Sequence, residues 1–377
     1  MHVEGSDFLY HAPISAPGDE SLSMNTLLMH CRAGFEGEVC SEIAEHAARL
    51  GVAGYAKAKP HTACAEFICH EPAGPARLMS ELRFSDLIFP RQWARGEFVQ
   101  LPESDRISVL LDHLAAYPVC GSLWLEVLDT NDGKELSNFC KKFEAPLRKA
   151  LLGAGRLVDD ADLPRLLLTF KSGREVFAGV AEAGNFAMWP MGIPRLKFPR
   201  EAPSRSTLKL EEAWHHFIPR EQWDERLHGD MTGVDLGAAP GGWTYQLVRR
   251  GMLVTAIDNG PMAQSLMDTG LVTHLMADGF TYKPKQTVDW MVCDIVEKPA
   301  RNAALLETWL GENLCREAVV NLKLPMKQRY AEVRKLLERI EDGFKARGVK
   351  VQIGCKQLYH DREEVTCHLR RLDSAKR

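Results

Sequence analysis

The chain lacks any apolar run approaching the ~20 residues that a helix needs to cross a bilayer, so no membrane span is expected. It also lacks the basic start and apolar stretch of a secretory signal. Its ten cysteines are scattered, with no C-x-x-C and no paired Cys/His spacing. That argues against a zinc or other metal site and for reduced thiols in a cytoplasmic protein. No internal repeat or low-complexity tract stands out. The net charge is only −4, which does not announce a nucleic-acid binder. A global balance can still hide a local basic face. Between Arg195 and Arg220 the bases Arg195, Lys197, Arg200, Arg205, Lys209 and Arg220 outnumber Glu201, Glu211 and Glu212. Such a cluster reads equally as a solvated surface.

What the chain does have is Val234-Asp-Leu-Gly-Ala-Ala-Pro-Gly-Gly-Trp243. It reads as a buried strand, a glycine-rich turn and the start of a helix. Val254-Thr-Ala-Ile-Asp258 follows as a second strand ending in an acid. Together they form a nucleotide-cofactor crevice at the carboxyl ends of parallel strands. Glycines at 237, 241 and 242 are expected to let the backbone approach a ligand. Asp258 can accept hydrogen bonds from a ribose. The spacing departs from G-x-G-x-x-G, and Pro240 has no N–H to give a pyrophosphate. S-adenosylmethionine (SAM), which carries adenosine without pyrophosphate, fits better. The bland alternative is a tight strand-to-helix turn with no ligand.

At 377 residues the chain has room for two or three domains of ~100–200 residues. Residues 1–23 are expected to be a disordered extension or tag. Residues 24–95 read as a small ferredoxin-like α+β unit: strands near 25–31, 52–58 and 62–69, a helix at 36–50, then a helix at 76–82 and a strand at 86–93. Residues 96–185 hold a helical stripe at Ile107, Leu110, Leu111 and Leu114, a strand at 122–128 and a turn at Asn131-Asp-Gly133. A helix over 135–152 follows, which Pro146 should kink or break. Its basic side is Lys141, Lys142, Arg148 and Lys149. Strands 165–170 and 175–180 flank a hairpin turn. Residues 186–205 form a proline-rich linker. Residues 206–377 alternate strand and helix as a doubly wound α/β domain. Its strands are expected at 232–236, 253–257, 273–276, 288–293, 317–322, 349–354 and 364–371, the last two pairing as a hairpin at the sheet edge.

Four charged residues in that domain could do chemistry. Ser206 is a good N-cap for a helix whose first turn carries Lys209. A lysine there is ordinarily just exposed. Asp294 ends the strand Val288-Asp-Trp-Met-Val-Cys293, at the next position bordering the crevice. The stretch after it lacks both Asp/Asn-Pro-Pro-Tyr/Phe, which holds exocyclic base amines, and the Pro-Cys nucleophile of pyrimidine C5 enzymes; Cys293 reads as core. Lys323 ends Ala318-Val-Val-Asn-Leu322, and beside Lys209 its pKa would fall from ~10.4, making it a candidate general base. Glu364 opens the last strand and could hold a lysine. The competing reading is four unrelated surface charges.

Asp235-Leu-Gly-Ala-Ala-Pro-Gly-Gly-Trp243 resembles motif I of the FtsJ-type ribose 2′-O-methyltransferases, which use a Lys-Asp-Lys-Glu tetrad. Lys209, Asp294, Lys323 and Glu364 match that order, with Glu363 the nearest competitor for the last place. Met24 to Ile43, Arg91-Gln-Trp-Ala-Arg95, Asp132-Gly-Lys-Glu-Leu-Ser137 and Met188-Trp-Pro-Met-Gly-Ile-Pro-Arg195 extend the resemblance. They are similar to the ribosomal RNA large subunit methyltransferase M (RlmM) family. That family joins a ferredoxin-like and THUMP RNA-binding region to a Rossmann-like FtsJ-type domain. The resemblance implies 2′-O-methylation of a cytidine in 23S rRNA, naked or pre-ribosomal, by a monomer with no DNA or membrane partner. It implies SAM contacts at Ser206, at Ala239, Pro240, Gly241 and Gly242, and at Asp258, Asp278 and Asp294. From the residues alone, Asp278 before Gly279 reads as a turn former. Two rivals remain open: a SAM enzyme acting on a small molecule, and an RNA-binding protein that keeps SAM only structurally.

Overall fold

The computed structural model describes residues 24–372; the extension expected at 1–23 lies outside them. The chain begins with β1 (Thr26–His30), α1 (Glu36–Arg49), β2 (Gly54–Ala58), β3 (Cys64–Cys69), α2 (Gly74–Glu81) and β4 (Gln92–Gln100). The strands pair in the order β2-β3-β1-β4, the antiparallel arrangement of a ferredoxin-like unit. Helix α1 buries Val39, Ile43 and Ala47, a four-residue spacing that puts one face on the sheet. Its first residue, Glu36, accepts the amides of Gly34 at 2.9 Å and Ala63 at 2.8 Å, tying the helix start to the β2–β3 turn.

The strand expected at 86–93 is displaced to Gln92–Gln100. Phe84, Leu87, Ile88 and Phe89 are buried all the same, because this segment packs against the C-terminal half. The amides of Ile88 and Phe89 donate to the Glu42 carboxylate at 2.6 and 2.9 Å. Lys356 donates to the Leu87 carbonyl at 2.8 Å, and the Gln357 amide to that of Ile88 at 2.9 Å. The apolar run therefore marks an interface between halves. Arg334–Glu45 at 3.1 Å and the Tyr330 amide on Glu38 at 2.8 Å lie on the same interface.

Next come α3 (Arg106–Leu114), β5 (Ser122–Val127), α4 (Asn131–Gly153), β6 (Arg165–Phe170) and β7 (Glu175–Ala181). Strand β4 pairs with β1 on one side and β7 on the other, so one sheet runs β2-β3-β1-β4-β7-β6-β5. In α4 the expected turn at 131–133 and the expected break at Pro146 are both absent. Asn131-Asp-Gly133 is the first helical turn: Thr130 caps it by accepting the Gly133 amide at 3.1 Å. Gly133 is small because a Cβ there would stand 1.9 Å from the Leu128 carbonyl oxygen. Pro146 does not end the helix, which runs unbroken from 131 to 153. Lys142, Ala145 and Pro146 are exposed, so water can take the carbonyl that Pro146 cannot serve, while buried Leu147 and Leu151 hold the next turn to the core. Arg148 donates to the Leu123 carbonyl at 3.1 Å and pairs with Glu144 at 2.8 Å. It serves the fold, whereas Lys141, Lys142 and Lys149 are exposed.

After an irregular connection come α5 (Thr207–Phe217), α6 (Trp223–Arg226), β8 (Thr232–Leu236), α7 (Gly242–Arg249), β9 (Leu253–Ile257), α8 (Gln264–Met267) and β10 (Val272–Leu275). The chain continues with β11 (Val288–Cys293), α9 (Pro299–Gly311), β12 (Cys315–Lys323), α10 (Arg329–Ala346), β13 (Val351–Lys356) and β14 (Glu364–Arg371). The sheet order is β10-β9-β8-β11-β12-β14-β13. The first five of these strands are parallel, and β14 runs antiparallel to both its neighbours. Winding reverses between β8 and β11, and the crevice lies at the carboxyl ends of those strands. This is a Rossmann-like α/β domain preceded by a ferredoxin-like α+β region. Among the described residues no helix is long and apolar enough to cross a membrane.

Candidate active site

Four charged side chains from four elements meet at the end of the second sheet. Lys209 comes from the first turn of α5, Asp294 from the residue after β11, Lys323 from the end of β12 and Glu364 from the start of β14. Lys209 Nζ lies 3.3 Å from Asp294 Oδ2 and pairs with Glu364 Oε1. Lys323 Nζ lies 3.5 Å from Asp294 Oδ1 and pairs with Glu364 Oε2. Strand register explains the last pair, because Lys323 and Glu364 are direct partners across β12 and β14. Alternation along the strand sends Glu363 elsewhere: it pairs with Arg329 at 2.6 Å and is mostly exposed. Two ammoniums and two carboxylates balance in charge.

Proximity of Lys209 and Lys323 along the sheet end, taken by itself, is a like-charge contact. In the fold each lysine contacts both carboxylates. For Lys209, desolvation alone would lower the pKa, but Asp294 and Glu364 outweigh it and raise the group above the ordinary lysine range. For Glu364, burial favours the neutral acid, yet the ammoniums of Lys209 and Lys323 hold it below the usual carboxylate range. Cys293, behind the cluster, is fully buried, and that burial pushes its thiol up to about 12. It is core, as its place inside the strand suggested.

The glycine turn between β8 and α7 lies at the switch point. Gly241 has φ of 115° and Gly237 of 73°, conformations that favour glycine. A Cβ at Gly237 would meet Ile295, one at Gly241 would meet Leu266, and one at Gly242 would meet the Ser206 hydroxyl. On the Cβ side these glycines are closed in by the protein itself, which requires glycine at each position whatever the turn holds. Ser206 stands at the N-cap position of α5 but makes no side-chain cap. Its backbone is already helical (φ −60°, ψ −19°), and its hydroxyl lies 3.1 Å from that of Ser204.

Asp258 accepts the Ala239 amide at 3.0 Å and the Gly260 amide at 2.7 Å, one on each oxygen. Each oxygen keeps a further lone pair for a ligand hydroxyl. Asp278 is exposed, and its carboxylate accepts the Phe280 amide at 2.9 Å, the turn geometry that the residue type suggests. Just before it, Leu275 and Met276 expose apolar surface, 40% and 75%. A carboxylate, apolar side chains and turn amides at one sheet end fit an adenosine-bearing group. In β8, just before the turn, Asp235 is buried, accepts the Thr244 hydroxyl at 2.6 Å, and is pushed up to about 7 by desolvation.

Sequence reasoning missed the polar residues behind Asp294. Asn321 donates to Asp294 Oδ1 at 2.7 Å and contacts Thr366, which in turn contacts the buried Asp361. The signal was there, since Asn321 and Thr366 sit two residues from Lys323 and Glu364 on the same strand faces, in otherwise apolar runs.

Residues 24–94 match the RlmM ferredoxin-like domain, residues 105–182 the N-terminal region of ribosomal RNA large subunit methyltransferase M, and residues 202–346 the FtsJ-like methyltransferase family. The ribosomal RNA large subunit methyltransferase M of Pseudomonas fluorescens strain Pf-5 is 84% identical over 94% of this chain and 99% of its own length. That of Pseudomonas syringae pv. syringae is 85% identical over the same shares. The chain belongs to the RlmM family. A solved Aeropyrum pernix fibrillarin with bound SAM is 12% identical, with a TM-score of 0.32 over 54% of this chain and 82% of that one. Like other RlmM members, this chain carries an FtsJ-like methyltransferase domain, and SAM is its cofactor.

Proposed function

We propose that this RlmM chain transfers a methyl group to the 2′-oxygen of a cytidine in 23S rRNA, with Lys323 as general base. The observation that carries the reading is the joining of Lys209, Asp294, Lys323 and Glu364 at the switch-point end of the sheet. Ser206, Ala239, Pro240, Gly241, Gly242, Asp258, Asp278 and Asp294 would hold SAM, which supplies an electrophilic methyl when bound. The fit rests on the free lone pairs of Asp258 and the apolar surface of Leu275 and Met276.

Lys323, in its neutral form, accepts the 2′-hydroxyl proton as the oxygen attacks. Asp294 orients Lys323 and borders the reacting centre. Lys209 and Glu364 hold the ribose and preserve the charge balance. A weak oxygen nucleophile gains most from being held in line, and proton removal adds roughly 10²–10⁴-fold. Val296 and Met326, 81% and 89% exposed just beyond Asp294 and Lys323, give the rim an apolar face toward RNA.

Residues 24–95 and 96–185, the latter as a THUMP unit, would hold structured RNA by shape and backbone contacts, with 206–377 as the catalytic domain. The exposed Lys141, Lys142 and Lys149 are the candidate phosphate contacts on α4. The test is transfer of labelled methyl from SAM to unmodified 23S rRNA, with the product mapped by nuclease digestion and mass spectrometry. A 2′-O-methylcytidine is expected. Measurable SAM binding with no label in naked rRNA or ribosomal particles would overturn the proposal.

A further inference from the structure

Asp361 lies in the connection between β13 and β14, fully buried, at the far end of a chain of side chains that reaches Asp294. Asn321 Nδ2 donates to Asp294 Oδ1 at 2.7 Å. A carboxylate paired with two ammoniums only accepts hydrogen bonds, so the amide nitrogen faces it and the amide oxygen faces away. That amide oxygen is 2.7 Å from Thr366 Oγ1, which must give it its single hydrogen. Thr366 Oγ1 also lies 3.1 and 3.0 Å from the two oxygens of Asp361. With its hydrogen already committed, the hydroxyl can only accept there. The hydrogen between Thr366 and Asp361 therefore belongs to Asp361. Asp361 Oδ2 accepts the Leu358 amide at 2.9 Å, which leaves Oδ1 as the protonated oxygen.

We infer that Asp361 is a neutral carboxylic acid and a positioning residue, which fixes the orientation of Asp294 through Thr366 and Asn321. The effect on methyl transfer rests on the function proposed above; the protonation follows from the count of hydrogens. The surroundings agree. Burial raises the Asp361 acid well above its ordinary range; nearby Glu364 and Glu212 add to this, while Lys209 and the Leu358 amide oppose it. An ionised Asp361 would add a third negative charge beside a cluster already balanced at two and two. A neutral donor chain orients Asp294 without disturbing that balance. Asn302 holds the strand in place by donating to the Asn321 carbonyl at 3.0 Å.

Isotope-edited infrared spectra of the full chain at neutral pH, without substrate, test the protonation. Wild type should show a protonated-carboxyl band that Asp361→Asn lacks. Kinetics test the positioning. Thr366→Val should lower kcat about 10- to 100-fold, the scale of a misplaced reacting group. Its Kd for SAM and KM for RNA should stay near wild type. Thr366→Ser should restore kcat, and Asp361→Asn, which can still donate to Thr366 and accept from Leu358, should exceed Thr366→Val. Absence of the band, or an unchanged kcat in Thr366→Val, overturns the inference. If Thr366→Val does not fold, the band and the comparison of Asp361→Asn with Asp361→Ala decide. A wild type that carries the band but methylates no rRNA overturns the proposed function, and the positioning role with it, and leaves the protonation standing.

Discussion

Replacing Lys323 with alanine removes one ammonium from the cluster and strands nothing. Glu364 keeps Lys209, and Asp294 keeps both Lys209 at 3.3 Å and the Asn321 amide at 2.7 Å. No buried carboxylate is left without a partner, so the loss of folding stability should be about 1 kcal/mol or less. The glycine turn and Asp258 are untouched, so SAM should bind as in wild type. The barrier is another matter. Loss of a general base costs roughly 10²–10⁴-fold in rate, equivalent to about 3–5 kcal/mol. Single-turnover transfer of labelled methyl, calorimetric SAM binding and a thermal melt measure the three quantities separately. Lys323→Arg should fail as badly, because a guanidinium stays protonated. If Lys323→Ala keeps more than about a tenth of the rate, or Lys323→Arg turns over, Lys323 is not the base. If SAM affinity collapses as well, the cluster is part of the cofactor site, and the argument from retained partners is wrong.

Glu364→Ala should cost more, since it removes the mostly buried carboxylate that both lysines share and leaves two ammoniums on Asp294 alone; a loss of up to about 3 kcal/mol, the lower end for a broken buried pair, is expected in denaturant melts. Because the folded-state pKa of Glu364 is depressed, its contribution is fully present above the unfolded value of ~4.3 and lost as pH falls below it. The wild-type and Glu364→Gln stability curves should therefore converge in acid, and curves that stay parallel would contradict this. Gly241→Ala, at φ 115° and against Leu266, should cost about 1–3 kcal/mol and weaken SAM binding; an unchanged melt would show that the turn is not constrained. Alanines at Lys141, Lys142 and Lys149 should flatten the salt dependence of RNA binding by roughly one slope unit per lost phosphate contact, and an unchanged slope would remove α4 from the footprint.

Local chemistry settled a good deal in advance. Strand ends in the catalytic half were legible because parallel strands covered on both faces read as continuous apolar runs closed by a charged residue, as at Cys293-Asp294 and Leu322-Lys323. The glycine turn was legible because backbone conformation is a property of residue type. The misreadings share one cause: local pattern does not carry the partner. The run at 84–89 is apolar because the C-terminal half covers it, and it forms no strand there. Asn131-Asp-Gly133 suits a turn or a capped helix start, and Thr130 together with the Leu128 carbonyl decides for the helix.

Sequence alone determined which residues could carry charge at the ends of which strands. It also determined the order of elements that makes a doubly wound sheet. Tertiary structure decided that Lys209, Asp294, Lys323 and Glu364 share one cluster, because pairing β12 with β14 and packing α5 over the sheet end bring together residues up to 155 positions apart. It also decided the direction in which Lys209 and Glu364 are shifted. Judged from the chain, a lysine beside another lysine loses basicity; Lys209, held between two carboxylates, is raised instead, since electrostatic energy depends on distance in space and on how far water is excluded.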